Sequence, residues 1–153
     1  MNSTTTYEQE LESRGYLICT TMGQSMHPFL HSGKDLVQID RKTQQRCQKF
    51  DVVLYRRQTG KYVLHRIVKV LPGSYTLCGD NCWQREPGIT DKQILGVLTG
   101  VIRNGKKIDV QHWRYRLLVH VWYLLYVPRA TVLFLRGKIW SVLRKIKAEK
   151  RQS

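Results

Sequence analysis

Between residues 16 and 110 the chain is written in short runs of alternating apolar and polar residues, punctuated by glycine, proline and asparagine. Alternation with a period of two marks strands with one face toward a core. The pattern predicts strands over residues 16–21, 35–39, 51–57, 62–70, 74–77, 94–102 and 106–110. Gln58-Thr59-Gly60-Lys61 reads as the connection of a hairpin between the third and fourth of these. Pro72-Gly73 and Asn104-Gly105 read as tight turns. Short strands at this spacing predict an antiparallel barrel or sandwich. Upstream, residues 7–14 suit a short helix, with Glu8, Glu10 and Glu12 favourable near its start.

After Gln111 the period changes. Residues 117–127 are almost all apolar, with His120 the one polar member apart from tyrosine hydroxyls. Pro128 interrupts the run. Beyond it, Val132, Leu135, Ile139, Val142 and Ile146 recur at helical spacing with Lys and Arg between them, the pattern of an amphipathic helix with a basic face. The chain of 153 residues thus divides into a tail or short helix (1–15), a β-rich domain (16–110) and a hydrophobic, basic helical segment (111–153). The expected fold class is mainly β, followed by C-terminal basic amphipathic helices.

Charge sharpens the last segment. The net charge is +15, and residues 103–153 hold thirteen Lys/Arg against two Asp/Glu. Such a segment suits an anionic partner, nucleic acid or membrane surface. Its bulk of Leu, Val, Trp and Tyr at helical spacing favours an anionic membrane surface over nucleic acid. As a helix, residues 117–127 would be about 16 Å long, too short for a bilayer core of roughly 30 Å. Extension to Leu135 places Pro128 and Arg129 mid-span, where an arginine costs about 2.5–3.5 kcal/mol. The expectation is therefore a membrane-associated segment, lying on or dipping into the membrane with its basic face on the anionic headgroups.

The N-terminal stretch is polar and acidic, so no secretory signal is expected there. Cys19, Cys47, Cys78 and Cys82 are read as free thiols of a reducing compartment. Cys78 and Cys82 form C-x3-C without a matching Cys or His pair, so neither metal nor cofactor is expected.

Three places carry candidate chemistry. Ser25 lies in Gly23-Gln24-Ser25-Met26-His27-Pro28, between two predicted strands. A serine there sits on a turn with its hydroxyl presented outward. His65 lies in a strand, on the face of Val63 and Ile67. Serine needs a base poised near neutrality, and imidazole supplies one. Asp80, in Gly79-Asp80-Asn81, follows a strand and offers a carboxylate to orient an imidazole.

In this order the segments resemble the signal peptidase I family, within the group that also holds LexA-type self-cleaving repressors. Gly23-x-Ser25-Met26-x-Pro28-x-Leu30 looks like the nucleophile box. Gly33-Lys34-Asp35 is similar to the Gly-Asp segment that follows, with Lys34 inserted. Phe50-Asp51-Val52-Val53 resembles the Gly-Asp-Val-Val strand, with Phe50 in place of glycine. Leu64-His65-Arg66-Ile67-Val68 looks like the base box of the branch that uses histidine, and Gly79-Asp80-Asn81 and Leu95-Gly96-Val97 complete the series.

The resemblance spans roughly residues 16–105 and implies a β-rich peptidase domain that removes signal or leader peptides from precursor proteins. It implies Ser25 as nucleophile, His65 as general base, and Asp80, or else Glu86 six residues on, as the orienting acid. The Ser25 amide would serve as an oxyanion-hole donor, and Met26 and Pro28 would border the substrate. Where some relatives add a serine hydroxyl, this chain has Gly23. Most such peptidases carry an N-terminal membrane anchor, and the C-terminal segment is expected to take that role here. The alternatives are a LexA-like self-cleaving regulator, and a nucleic-acid- or membrane-binding module without peptidase activity.

Overall fold

The computed structural model describes residues 6–126, 128, 131, 132, 135, 136 and 139. Helix α1 (Tyr7–Arg14) opens on a capping box. The Thr6 hydroxyl accepts from the Gln9 amide, and the Gln9 side chain accepts from the Thr6 amide. Gly15 ends the helix in the left-handed conformation. Eight strands follow: β1 (Tyr16–Thr20), β2 (Leu36–Arg41), β3 (Val52–Arg56), β4 (Tyr62–Leu71), β5 (Ser74–Cys78), β6 (Arg85–Ile89), β7 (Ile94–Arg103) and β8 (Lys106–Asp109). Helix α2 (Trp113–Leu124) comes last. The protein is mainly β, with all strand pairs antiparallel, in the order β1-β2-β7-β3-β4-β5-β6, and β8 added to β7.

Strand alternation sorts the core into two clusters. In β3, Val52 and Leu54 join Leu17, Met26, Val37, Ile39, Leu98 and Val101. Val53 and Tyr55 point the other way, toward Ile67, Tyr75, Leu77 and Ile94. Both faces of β3 are buried, which explains its continuous apolar run.

The expected strands all form, with ends shifted by a residue or two. Strand β6 was not expected. Its sequence, Arg-Glu-Pro-Gly-Ile, reads as a turn because Pro87 lacks a donor and Gly88 weakens a strand. It is tolerated because β6 ends the sheet order, bonded to β5 alone, with an irregularity between Tyr75 and Leu77.

Helix α2 packs one side on the sheet. Val119 is buried, and Tyr115 and Trp122 meet the Phe29 ring edge-on. Phe50 takes a φ of 77°, the left-handed region that ordinarily favours glycine. Its ring lies 4.7 Å from that of His120 and 5.3 Å from that of Tyr123, so packing on α2 offsets a strain of about 1–2 kcal/mol. The outer side of α2 exposes Trp113, Leu117, Leu118, Val121 and Leu124. No helix among the described residues is long and apolar enough to cross a membrane. The amphipathic pattern expected beyond residue 129 falls largely outside the described residues, Val142 and Ile146 included.

Candidate active site

Ser25 sits half-buried on the loop between β1 and β2. That loop is tied down at several points. The Asp35 carboxylate is fully buried and accepts from the His31 amide at 2.7 Å and from two Arg103 nitrogens at 2.9 and 2.6 Å. Arg103 also donates to the Phe29 carbonyl at 2.9 Å, pinning the loop to β7. The Arg103 ion pair and the His31 amide hold the Asp35 carboxyl below its ordinary value, against the opposing effect of burial. Lys34, between Gly33 and Asp35, is exposed and takes no part in this anchor.

The serine backbone itself is gripped from the turn after β5. The Asn81 amide donates to the Ser25 carbonyl at 2.7 Å. The Asn81 side chain donates to the Gln24 carbonyl at 3.3 Å, which also accepts from the His27 amide at 3.2 Å. In a trans peptide the N–H points opposite to the C=O. Holding the Gln24 carbonyl on Asn81 therefore turns the Ser25 N–H the other way.

Gly79 lies between the Ser25 backbone and the His65 ring. A Cβ at this position would lie 2.7 Å from the Ser25 carbonyl oxygen, 2.8 Å from Cys82 Sγ and 3.1 Å from His65 Nε2. Only glycine leaves room for that approach. The Nε2 edge of the ring thus faces the serine segment.

The Nδ1 edge faces an acid, and that acid is Glu86. Its Oε1 lies 3.1 Å from His65 Nδ1. Asp80, ranked first on sequence, is engaged elsewhere. Its two oxygens each accept from Arg66 at 2.8 Å, and Oδ1 also accepts from the Tyr123 hydroxyl at 2.9 Å. Strand alternation is the reason. His65 and Arg66 are consecutive in β4 and project to opposite faces. Leu77 pairs with both Ile67 and Glu86, which puts Glu86 on the His65 face. Asp80 follows Arg66 to the other face, where the pair is almost completely buried.

Two residues not singled out on sequence complete the site. The Tyr55 hydroxyl donates to Glu86 Oε2 at 2.8 Å and lies 3.4 Å from His65 Nδ1. Arg57 forms a two-pronged ion pair with the same carboxylate, its Nε 2.8 Å from Oε2 and an Nη on Oε1. Residues 53, 55 and 57 share one face of the β3 hairpin by alternation, a signal the sequence carries once Glu86 is placed. Burial holds the His65 ring below the ordinary imidazole value, Glu86 opposing this and Arg57 adding to it. Burial works to raise the Glu86 carboxyl, but the hydrogen bonds from Arg57 and Tyr55 and the His65 ring outweigh it, leaving a net lowering. The arrangement sets Nδ1 of a ring whose charged form is disfavoured by burial 3.1 Å from a carboxylate whose charged form is favoured.

A groove runs from Ser25 along Cys19, Thr20, Thr21 and Met22 on one wall and Tyr62, Val63 and Leu64 on the other. Met26 lines its floor but is 5% exposed and belongs to the core, and Pro28 does not line it. No family model matches this chain, and no curated protein matches it significantly.

Proposed function

We propose that the protein is a serine endopeptidase of the signal peptidase kind, removing signal or leader segments from precursor proteins. The observation that carries this reading is the convergence on Gly79, with the serine segment on the Nε2 edge of His65 and Glu86 on its Nδ1 edge. Nucleophile, base and orienter in that sequence are what acyl transfer requires.

In the proposed reaction Ser25 Oγ attacks the scissile carbonyl and its proton passes to His65 Nε2. The Ser25 N–H stabilises the oxyanion. Glu86 stabilises the imidazolium that forms. Collapse returns the proton from His65 to the leaving amine, and water, activated by the same nitrogen, hydrolyses the acyl-serine. The groove beside Ser25 is lined mainly by apolar side chains, Val37, Ile39, Leu54, Val63 and Leu64 among them, and is narrowed by Tyr7 and Tyr62, which suits an extended peptide with small side chains next to the bond.

The exposed outer face of α2 and the basic charge of residues 103–153 support contact with an anionic membrane surface. Flotation with phosphatidylserine vesicles tests this: the full chain is expected to float with them and to stay behind with neutral vesicles. Equal recovery with both would remove the membrane proposal. The enzymatic proposal is tested by co-expressing candidate precursors with the protein and with its Ser25→Ala variant, reading the products by mass spectrometry. Cleavage with the first and none with the second is expected. Equal processing in both would refute it.

A further inference from the structure

We propose that Arg57, together with Tyr55, is a positioning residue for the base: it clamps the Glu86 carboxylate in the plane that meets His65 Nδ1. This rests on the reading of His65 as general base.

Glu86 lies on strand β6 at the end of the sheet order, directly before Pro87 and Gly88, and its side chain is 26% exposed. A glutamate there has its full set of side-chain torsions to lose, and one contact with an imidazole does not hold it. Arg57 supplies the constraint. Its guanidinium reaches both carboxylate oxygens, a fork that fixes the carboxylate plane as well as its place. Tyr55 fixes the rotation from the second side, and its hydroxyl oxygen remains open to the His65 Nδ1–H. Arg57 itself is held by the hairpin turn, where its amide donates to the Lys61 carbonyl at 2.9 Å.

The clamp has an electrostatic side. A general base must be neutral before it acts. An ionised glutamate alone beside the ring favours imidazolium, and the fixed charge of Arg57 offsets that pull. The other groups around the ring do not substitute for it. Tyr55 faces it from β3, and Gly79 and Cys82 face it from the turn after β5. The Asp80 carboxylate, paired with Arg66, acts on the ring in the same direction as Glu86 and less strongly. Lysine at position 57 would keep the charge but lose the fork.

The experiment is an NMR pH titration of the His65 ring in the full chain, beside initial cleavage rates on a peptide with an Ala-x-Ala site. Arg57→Gln is expected to raise the His65 midpoint by about one pH unit. Arg57→Gln combined with Glu86→Gln is expected to return it toward wild type. Arg57→Lys is expected to leave the midpoint unmoved while kcat falls about tenfold at constant KM. It also serves should Arg57→Gln not fold. A His65 midpoint unmoved in Arg57→Gln, or a wild-type kcat in Arg57→Lys, overturns the clamp. The titration needs no substrate. A shifted midpoint with no peptide cleaved by any variant, wild type included, refutes the peptidase reading and leaves the electrostatic clamp standing.

Discussion

Replacing Gly79 by alanine places one methyl group at the junction of the proposed site. The new Cβ would lie 2.7 Å from the Ser25 carbonyl oxygen, 2.8 Å from Cys82 Sγ and 3.1 Å from His65 Nε2. Ordinary contacts of a Cβ fall at 3.4–4 Å, so the carbonyl and the thiol must retreat by more than half an ångström and the ring by a few tenths. Cys82 can rotate about one bond. The carbonyl cannot withdraw freely, because the Asn81 amide holds it at 2.7 Å. The ring is held on its far edge by Glu86. Overpacking of this kind costs about 1–3 kcal/mol, and a displacement of about 1 Å between reacting groups costs about a hundredfold in rate. Gly96→Ala is the matched control. Its Cβ, in β7, would lie 2.6 Å from Ile39 Cγ2 and 2.7 Å from the Asp40 carbonyl oxygen, with neither Ser25 nor His65 among its near neighbours, and it reaches the groove only through the Ile39 side chain. Urea unfolding of both variants is expected to show comparable losses of stability. Cleavage of an Ala-x-Ala peptide by the folded fraction is expected to collapse only in Gly79→Ala. Wild-type stability and rate in Gly79→Ala would show that serine and imidazole do not face each other there.

Asp80→Asn removes the counter-charge of a guanidinium that is 1% exposed. Such a change is expected to cost about 3–5 kcal/mol, read as a lower urea midpoint with an unchanged slope; an unaltered midpoint would refute the structural role of the pair. Stability is also expected to depend on pH through His65. Its folded value lies below the 6.5 of a free imidazole, so between the two the unfolded chain binds more protons and stability falls as pH drops through that window. Glu86, lowered from 4.5, adds stability present above that value and lost below it. Urea midpoints at about pH 7 and about pH 5 check the first effect, and a flat profile would refute it. The acidic limb of the cleavage rate is expected to have its midpoint below 6.5, and a midpoint above that value would show that another group is the base.

Much of this architecture was legible in the residues themselves. Period-two alternation is a local property, set by the pleat of a single strand, so seven strands and the placing of Val63, His65 and Ile67 on one face could be read directly. Turn chemistry is local as well, and it put Ser25 on a loop and Gly60 in a hairpin. Strand β6 was hidden because Pro87 and Gly88 argue against a strand in isolation, and only bonding to β5 overrides them.

The choice of acid depended on that hidden strand. Asp80 and Glu86 are six residues apart and chemically alike, and nothing local separates them. The register of β4 with β5 and of β5 with β6 does, carrying Glu86 to the face of His65 and leaving Asp80 to Arg66 on the other. Phe50 is a second case: its left-handed backbone is at odds with its own side chain and is compensated by α2, more than sixty residues along the chain. The sequence alone determined which residues could carry chemistry and on what kind of element each would stand, because propensity, alternation and turn formation act over a few residues. Which of them meet was decided only by strand pairing and helix docking, where residues distant in the chain share one face of the sheet.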